Sequence, residues 1–270
     1  MNVLSLFDGL SCARIALKRA RIKVDNYYAS EIDKYSQIVS RANFPDIIRL
    51  GDINGWESWD IEQPDLIISG FPCQGFSFAG KQLNFDDPRS ALFFSCVEIL
   101  NHYQPKYFLL ENVKMKKEYQ DIISRAVGVE PIEINSALVS AQNRKRLYWT
   151  NIPGIKQPRD KGILLKDIIE DGGVCREKSQ TIPATIYKEN AKSMLKRRKM
   201  GLVVGSGKSL CKQIGVADLT WRKLTPLECE RLQTVPDNFT NHVSNTQRYK
   251  MLGNGFTVDV IAHILKHIKK

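Results

Sequence analysis

A chain of 270 residues, 43 % of them apolar, can bury a substantial core and suits one large α/β domain with a smaller lobe. It has no run of 18 apolar residues to cross a membrane, and its amino terminus lacks the order of an export signal, so a soluble, cytoplasmic protein with no membrane partner is expected. Six cysteines without paired short spacing argue against a zinc site or a disulfide framework, and the net charge of +11 points toward a polyanion or to a solvated surface that aids solubility.

Residues 2–7 (NVLSLF) form an apolar strand, and Asp8-Gly9-Leu10-Ser11 turns it into a helix that sets Ile15, Ala16 and Leu17 against a sheet. The amino end of that helix suits an anion or a carboxylate. A second strand over 27–30 ends in Glu31, where a carboxylate can accept two hydroxyl hydrogen bonds of a ribose or, equally, serve as the negative charge at the start of the next helix. Helix resumes over about 33–42. A third strand near 47–50 is followed by Gly51-Asp52-Ile53, with Asp52 at the same sheet edge and suited to accept from an amino group.

The apolar run Leu66-Ile67-Ile68 reads as a buried parallel strand, broken by Gly70-Phe71-Pro72-Cys73-Gln74-Gly75-Phe76-Ser77. Open α/β sheets bind ligands at that edge, so Cys73 falls where a thiol can act as a nucleophile or, equally, pack as a small apolar group. A helix from Ser90 to about His102 precedes a strand over 107–110, which delivers Glu111-Asn112-Val113 to the edge. A carboxyl group beside an apolar strand end suits proton donation or a structural hydrogen bond. Further elements are a helix over 116–128, a strand over 131–135, and a strand into which Gln142-Asn143-Arg144-Lys145-Arg146 leads, with Arg144 and Arg146 on one face, suited to an anion or a base carbonyl or, equally, to a salt bridge with Asp or Glu.

Pro153-Gly154 and Pro158 mark a boundary, and from there to about Trp221 the chain is loop-rich. Ten Lys or Arg against two Glu between 176 and 212 supply eight of the eleven net charges. Thr225-Pro226-Leu227-Glu228 reads as a capped helix start, and helices over about 245–252 and 258–269 flank Gly253-Asn254-Gly255. The expected division is 1–154, 155–220 and 221–270.

Eight ordered blocks resemble the DNA cytosine-C5 methyltransferase family: Phe7-Asp8-Gly9, Glu31, Gly51-Asp52-Ile53, Pro72-Cys73-Gln74, Glu111-Asn112-Val113, Gln142 through Arg146, Arg222 through Pro226 with Glu228, and Gly253-Asn254-Gly255. The resemblance implies a Rossmann-like, mostly parallel sheet with a small target recognition lobe over 155–220 and carboxy-terminal helices that return to the first domain. It implies S-adenosylmethionine as methyl donor, leaving S-adenosylhomocysteine. Phe7, Gly9, Leu10, Ile32, Ile53, Pro72, Leu92 and Asn254 would line its pocket, with Glu31 on the ribose and Asp52 on the adenine amino group.

By the same resemblance Cys73 would add to carbon 6 of cytosine, Glu111 would hydrogen-bond or protonate the ring nitrogen, Arg146 would hold the base carbonyl, and Arg144 would support the thiolate or its loop. Gln74, Ser77 and Lys81 would close over a flipped base, and Lys196, Arg197 and Arg198 would take phosphates. The implied partner is double-stranded DNA, the setting a restriction–modification pair or a phage, and the protein a monomer. A branch of the family uses the same blocks on transfer RNA, and a silent nucleic-acid-binding homologue would share the fold. Two departures stand out: Ser11-Cys12-Ala13 replaces a more glycine-rich turn, and Phe71 stands where small residues are usual.

Overall fold

The computed structural model describes residues 1–72, 88–197, 199–206 and 220–268. They divide into two compact units, one of residues 1–134, 145–157 and 261–270, the other of residues 135–144 and 158–260.

The first unit is built on a seven-stranded sheet of β1 (Val3–Leu6), β2 (Tyr27–Ser30), β3 (Ile48–Gly51), β4 (Leu66–Ser69), β5 (Tyr107–Val113), β6 (Ile132–Asn135) and β7 (Lys145–Thr150), in the order β3-β2-β1-β4-β5-β7-β6. β1 pairs in parallel with β2 and β4, β2 with β3, and β4 with β5; β7 runs antiparallel to β5. The mostly parallel α/β class expected from the sequence is therefore what forms. β1, β2 and β4 are buried along their whole length, as strands covered on both faces must be.

Helices α1 (Cys12–Arg19) and α2 (Lys34–Asn43) follow β1 and β2, α3 (Pro88–Tyr103) precedes β5, and α4 (Lys117–Val127) follows it. Ile15, Ala16 and Leu17 of α1 are buried as their spacing predicts. α2 is capped by Asp33, whose carboxylate accepts from the N–H groups of Tyr35 and Ser36, both at 3.0 Å. Two boundaries differ from expectation. α3 already includes Pro88 rather than starting at Ser90, a residue type whose fixed φ and missing N–H suit a first turn. β5 runs on to Val113 because β7 supplies an antiparallel partner for Glu111, Asn112 and Val113. A parallel sheet edge would have ended the strand at Leu110; the antiparallel neighbour extends it.

The second unit holds α5 (Ala191–Lys196), the hairpin of β8 (Val203–Ser206) and β9 (Thr220–Lys223), α6 (Pro226–Leu232) and α7 (Asn245–Asn254); α8 (Val258–Leu265) straddles the boundary at 260. α6 opens with the expected reciprocal cap: Glu228 N–H donates to Thr225 Oγ1 at 3.1 Å and Thr225 N–H to Glu228 Oε2 at 2.7 Å. The fully buried Glu228 also accepts both Nη groups of Arg222 at 2.8 Å. Gly253 and Asn254 belong to α7 rather than to a loop, and α8 stops at Leu265, short of the expected 269.

Candidate active site

Strand register places the chemistry. Leu6 pairs with Ser30 and Ser69, Ser30 with Gly51, and Ser69 with Leu110, which makes one row across five parallel strands. One residue further along each strand stand Phe7, Glu31, Asp52, Gly70 and Glu111. Three carboxylates thus emerge at one carboxyl edge, flanking the point between β1 and β4 where the strand order reverses, the position at which open α/β sheets take their ligands.

Glu31 is fixed there by two backbone donors: Gly9 N–H reaches Oε2 at 2.8 Å and Asp33 N–H reaches Oε1 at 2.7 Å. Each oxygen keeps a second lone pair, so a vicinal diol still has an acceptor on both. Burial raises the Glu31 pKa, and the bonds from Asp33 and Gly9 pull it partly back. Beside it, Ile32 is 72 % exposed among the described residues, an apolar surface. Asp52 accepts Asn54 N–H at 3.0 Å, and Ile53 is buried beneath the same turn. Gly9 has φ of +59°, Leu10 is buried, and Phe7, Pro72 and Leu92 are half-buried. A carboxylate for a diol, an open apolar flank and a second carboxylate for an amino group fit an adenosine-type ligand.

At the β5 end, Glu111 Oε1 meets Arg146 Nε at 3.0 Å. The pair follows from register: Val113 is opposite Arg146 and Glu111 opposite Tyr148, so Glu111 and Arg146 are diagonal neighbours on one face. Asn112, on the other face, donates from Nδ2 to the Phe71 carbonyl at 3.2 Å and so holds the chain where it leaves β4 toward Cys73. Phe71 is 3 % exposed and packs on the Phe93 ring at 5.1 Å, which explains a large residue at this place. Cys73, Gln74, Ser77 and Lys81 lie outside the described residues, as does Arg198.

Arg144 does not share a strand face with Arg146, because β7 begins at Lys145. In the second unit its Nη2 donates to the carbonyls of Gly253 at 3.3 Å and Gly255 at 3.0 Å. The exposed Asn254 is the last residue of α7. The basic cluster also sorts itself. Lys178 Nζ is spent on the carbonyls of Ala137, Ser140 and Ile163 at 2.8, 3.1 and 2.6 Å, and Lys199 pairs with Glu189 at 2.6 Å. Arg197 lies 3.7 Å from Glu189, while Lys188, Lys192 and Lys196 are exposed.

Asp8, part of the Phe7-Asp8-Gly9 block, has no role of its own in the sequence and stands between two residues that do. It is buried and bonded to Tyr27 and Ser11. The available signal was a carboxylate at the end of an apolar strand, which needs partners wherever it is buried.

The family model for C-5 cytosine-specific DNA methylases matches residues 1–158 and 140–270. Among curated relatives, the Type II methyltransferase M1.ScrFI of Lactococcus lactis subsp. cremoris is 32 % identical, across 96 % of this chain and 76 % of the relative. M.NgoBI of Neisseria gonorrhoeae is 32 % identical over 96 % of this chain and 90 % of its own. In fold, the chain is similar to a DNMT2 variant from Spodoptera frugiperda, with a TM-score of 0.68, 21 % identity and 98 % of each chain covered.

Proposed function

The chain belongs to the C-5 cytosine-specific DNA methylase family, and we propose that this enzyme methylates carbon 5 of a cytosine flipped out of a short duplex site through a transient bond to Cys73. The observation that supports the reading is the row of Phe7, Glu31, Asp52, Gly70 and Glu111 at one sheet edge, which brings two carboxylates suited to a nucleoside into line with the Glu111–Arg146 pair.

S-adenosylmethionine supplies an electrophilic methyl group and leaves as S-adenosylhomocysteine. Glu31 would take the ribose hydroxyls, Asp52 the adenine amino group, and Ile32 and Phe7 the apolar flanks; Gly9, Leu10, Ile53, Pro72 and Leu92 would complete the set. Carbon 5 of cytosine is a poor nucleophile. The Cys73 thiolate therefore adds to carbon 6, and electron density moves to carbon 5. Glu111 serves the ring nitrogen and Arg146 the carbonyl oxygen, so that charge gathering on the ring meets preorganised partners. Once carbon 5 carries the methyl group, loss of its proton and departure of the thiolate restore the ring. Arg144, which holds the end of α7 through Gly253 and Gly255, contributes by placement.

Extruding the base costs roughly a few kcal/mol, a role for the segment with Gln74, Ser77 and Lys81. Residues 155–220 form the target recognition region in this reading, where Lys196, Arg197 and Arg198 take phosphates. The Type II names of the relatives support duplex DNA and a restriction–modification setting in the cytoplasm.

Duplex DNA and transfer RNA offered with methyl-labelled cofactor test the proposal. Label at cytosine carbon 5 of DNA is expected. Label confined to RNA would overturn the substrate, and none in either polymer would overturn the activity.

A further inference from the structure

We propose that Asp8 is a positioning residue of the cofactor pocket, holding the turn from Phe7 to Ser11 in the path that presents Gly9 N–H to Glu31. The inference rests on the cofactor reading above.

The backbone of this turn enters the left-handed region three times in five residues, at Phe7 with φ +55°, Gly9 with φ +59° and Ser11 with φ +64°. Only the middle one is a glycine, so L side chains twice occupy a conformation they disfavour. Ser11 stands at the amino end of α1 and makes no side-chain cap there. Its hydroxyl turns inward instead, 2.6 Å from Asp8 Oδ2 and 2.7 Å from Ser40 Oγ.

A hydroxyl has one proton. Ser11 donates it to the carboxylate and accepts from Ser40, and Ser40 in turn accepts from Arg49 Nη2 at 3.1 Å. Tyr27 donates to the other carboxylate oxygen at 2.7 Å. The Asp8 backbone is held as well, its N–H on the Ser30 carbonyl and its carbonyl receiving Ser11 N–H, both at 3.0 Å. The next residue, Gly9, gives its N–H to Glu31 Oε2. Asp8 therefore anchors one side of the turn, and Glu31 receives the donor on the other.

The titratable and charged groups around it are Tyr27 from β2, Arg49 from β3 and Glu31 beyond β2, while Arg14 of α1 lies over the Tyr27 ring at 5.8 Å. Burial raises the Asp8 pKa, and hydrogen bonds from Ser11, Ser5 and Tyr27 offset part of the rise. The network also accounts for the departure at Ser11: a serine replaces a more permissive residue where the carboxylate is there to hold its hydroxyl.

Calorimetric binding of S-adenosylhomocysteine separates positioning from mere support of the fold. Asp8→Ala should raise Kd about tenfold or more, with kcat at saturating S-adenosylmethionine within about twofold of the unsubstituted enzyme. Asp8→Asn, which keeps the shape and an acceptor for Tyr27, should restore most of the affinity. Ile123→Ala, a core truncation in α4, should lower Tm and leave Kd alone. Unchanged binding by Asp8→Ala, or weakening by Ile123→Ala as well, would overturn the inference. Should Asp8→Ala fail to fold, Tyr27→Phe carries the same comparison, with Kd raised about threefold expected and unchanged Kd contradicting it. Failure of the unsubstituted protein to bind S-adenosylhomocysteine would overturn the cofactor reading and this inference together.

Discussion

In the proposed cofactor role Glu31 carries two demands of opposite sign. Burial raises its pKa above the ordinary 4.5, whereas accepting ribose hydroxyls calls for the ionised form. An acid whose folded pKa is raised binds more protons folded than unfolded, so its own contribution to stability grows as pH falls from the raised value toward 4.5. Affinity for S-adenosylhomocysteine should move the other way, weakening as pH falls through the raised pKa. Titrating Kd and Tm against pH, with Glu31→Gln as control, checks both signs. The Gln variant should bind about tenfold more weakly at neutral pH and lose that acid limb; equal binding would remove Glu31 from the site. At the other end of the edge, Arg146→Lys keeps a charge but not the Nε geometry on Glu111. It should lower kcat about a hundredfold or more with cofactor Kd unchanged, since a lost charge-stabilising donor has a cost of that order. Full activity would assign the pair to structure alone.

Among the elements, parallel strands were legible because they are short, apolar and closed by glycine or a carboxylate, as Leu66-Ile67-Ile68 and Tyr27 to Ser30 are. The antiparallel extension of β5 was not, since nothing within Glu111-Asn112-Val113 announces that β7 lies beside it. The same gap put Arg144 on a strand with Arg146, when in fact its carbonyl partners lie over a hundred positions away. Gly253 was legible as a motif but not as packing. A Cβ there would sit 2.5 Å from Ala184 Cα and 2.6 Å from the Pro183 carbonyl carbon, backbone atoms that cannot rotate aside. Gly253→Ala should cost about 1–3 kcal/mol by overpacking, read as a lower Tm in thermal denaturation. An unchanged Tm would mean that the backbones separate without penalty.

On the scale of the whole molecule, most of the excess charge was legible by counting, but its use was not. Lys178 and Lys199 satisfy carbonyls and Glu189, whereas Lys188, Lys192 and Lys196 face solvent. Replacing those three by Ala should weaken DNA binding across sequences alike and reduce the slope of log K against log salt by up to about 0.9 for each phosphate no longer neutralised. Lys178→Ala should lower Tm instead, by leaving three carbonyls without their donor. A salt slope unmoved by the triple change would place the phosphate-binding groups elsewhere.

The mechanism stands or falls on the thiol of Cys73 bonding to a cytosine ring that then takes a methyl group. A duplex with 5-fluorocytosine at the target position, incubated with enzyme and S-adenosylmethionine and followed by peptide mapping of any covalent complex, reads that bond itself. Fluorine blocks loss of the carbon 5 substituent, so a methylated adduct on Cys73 should accumulate and be absent from Cys73→Ala. Methylation of ordinary duplex DNA with no such adduct, or an adduct on another residue, would contradict the mechanism.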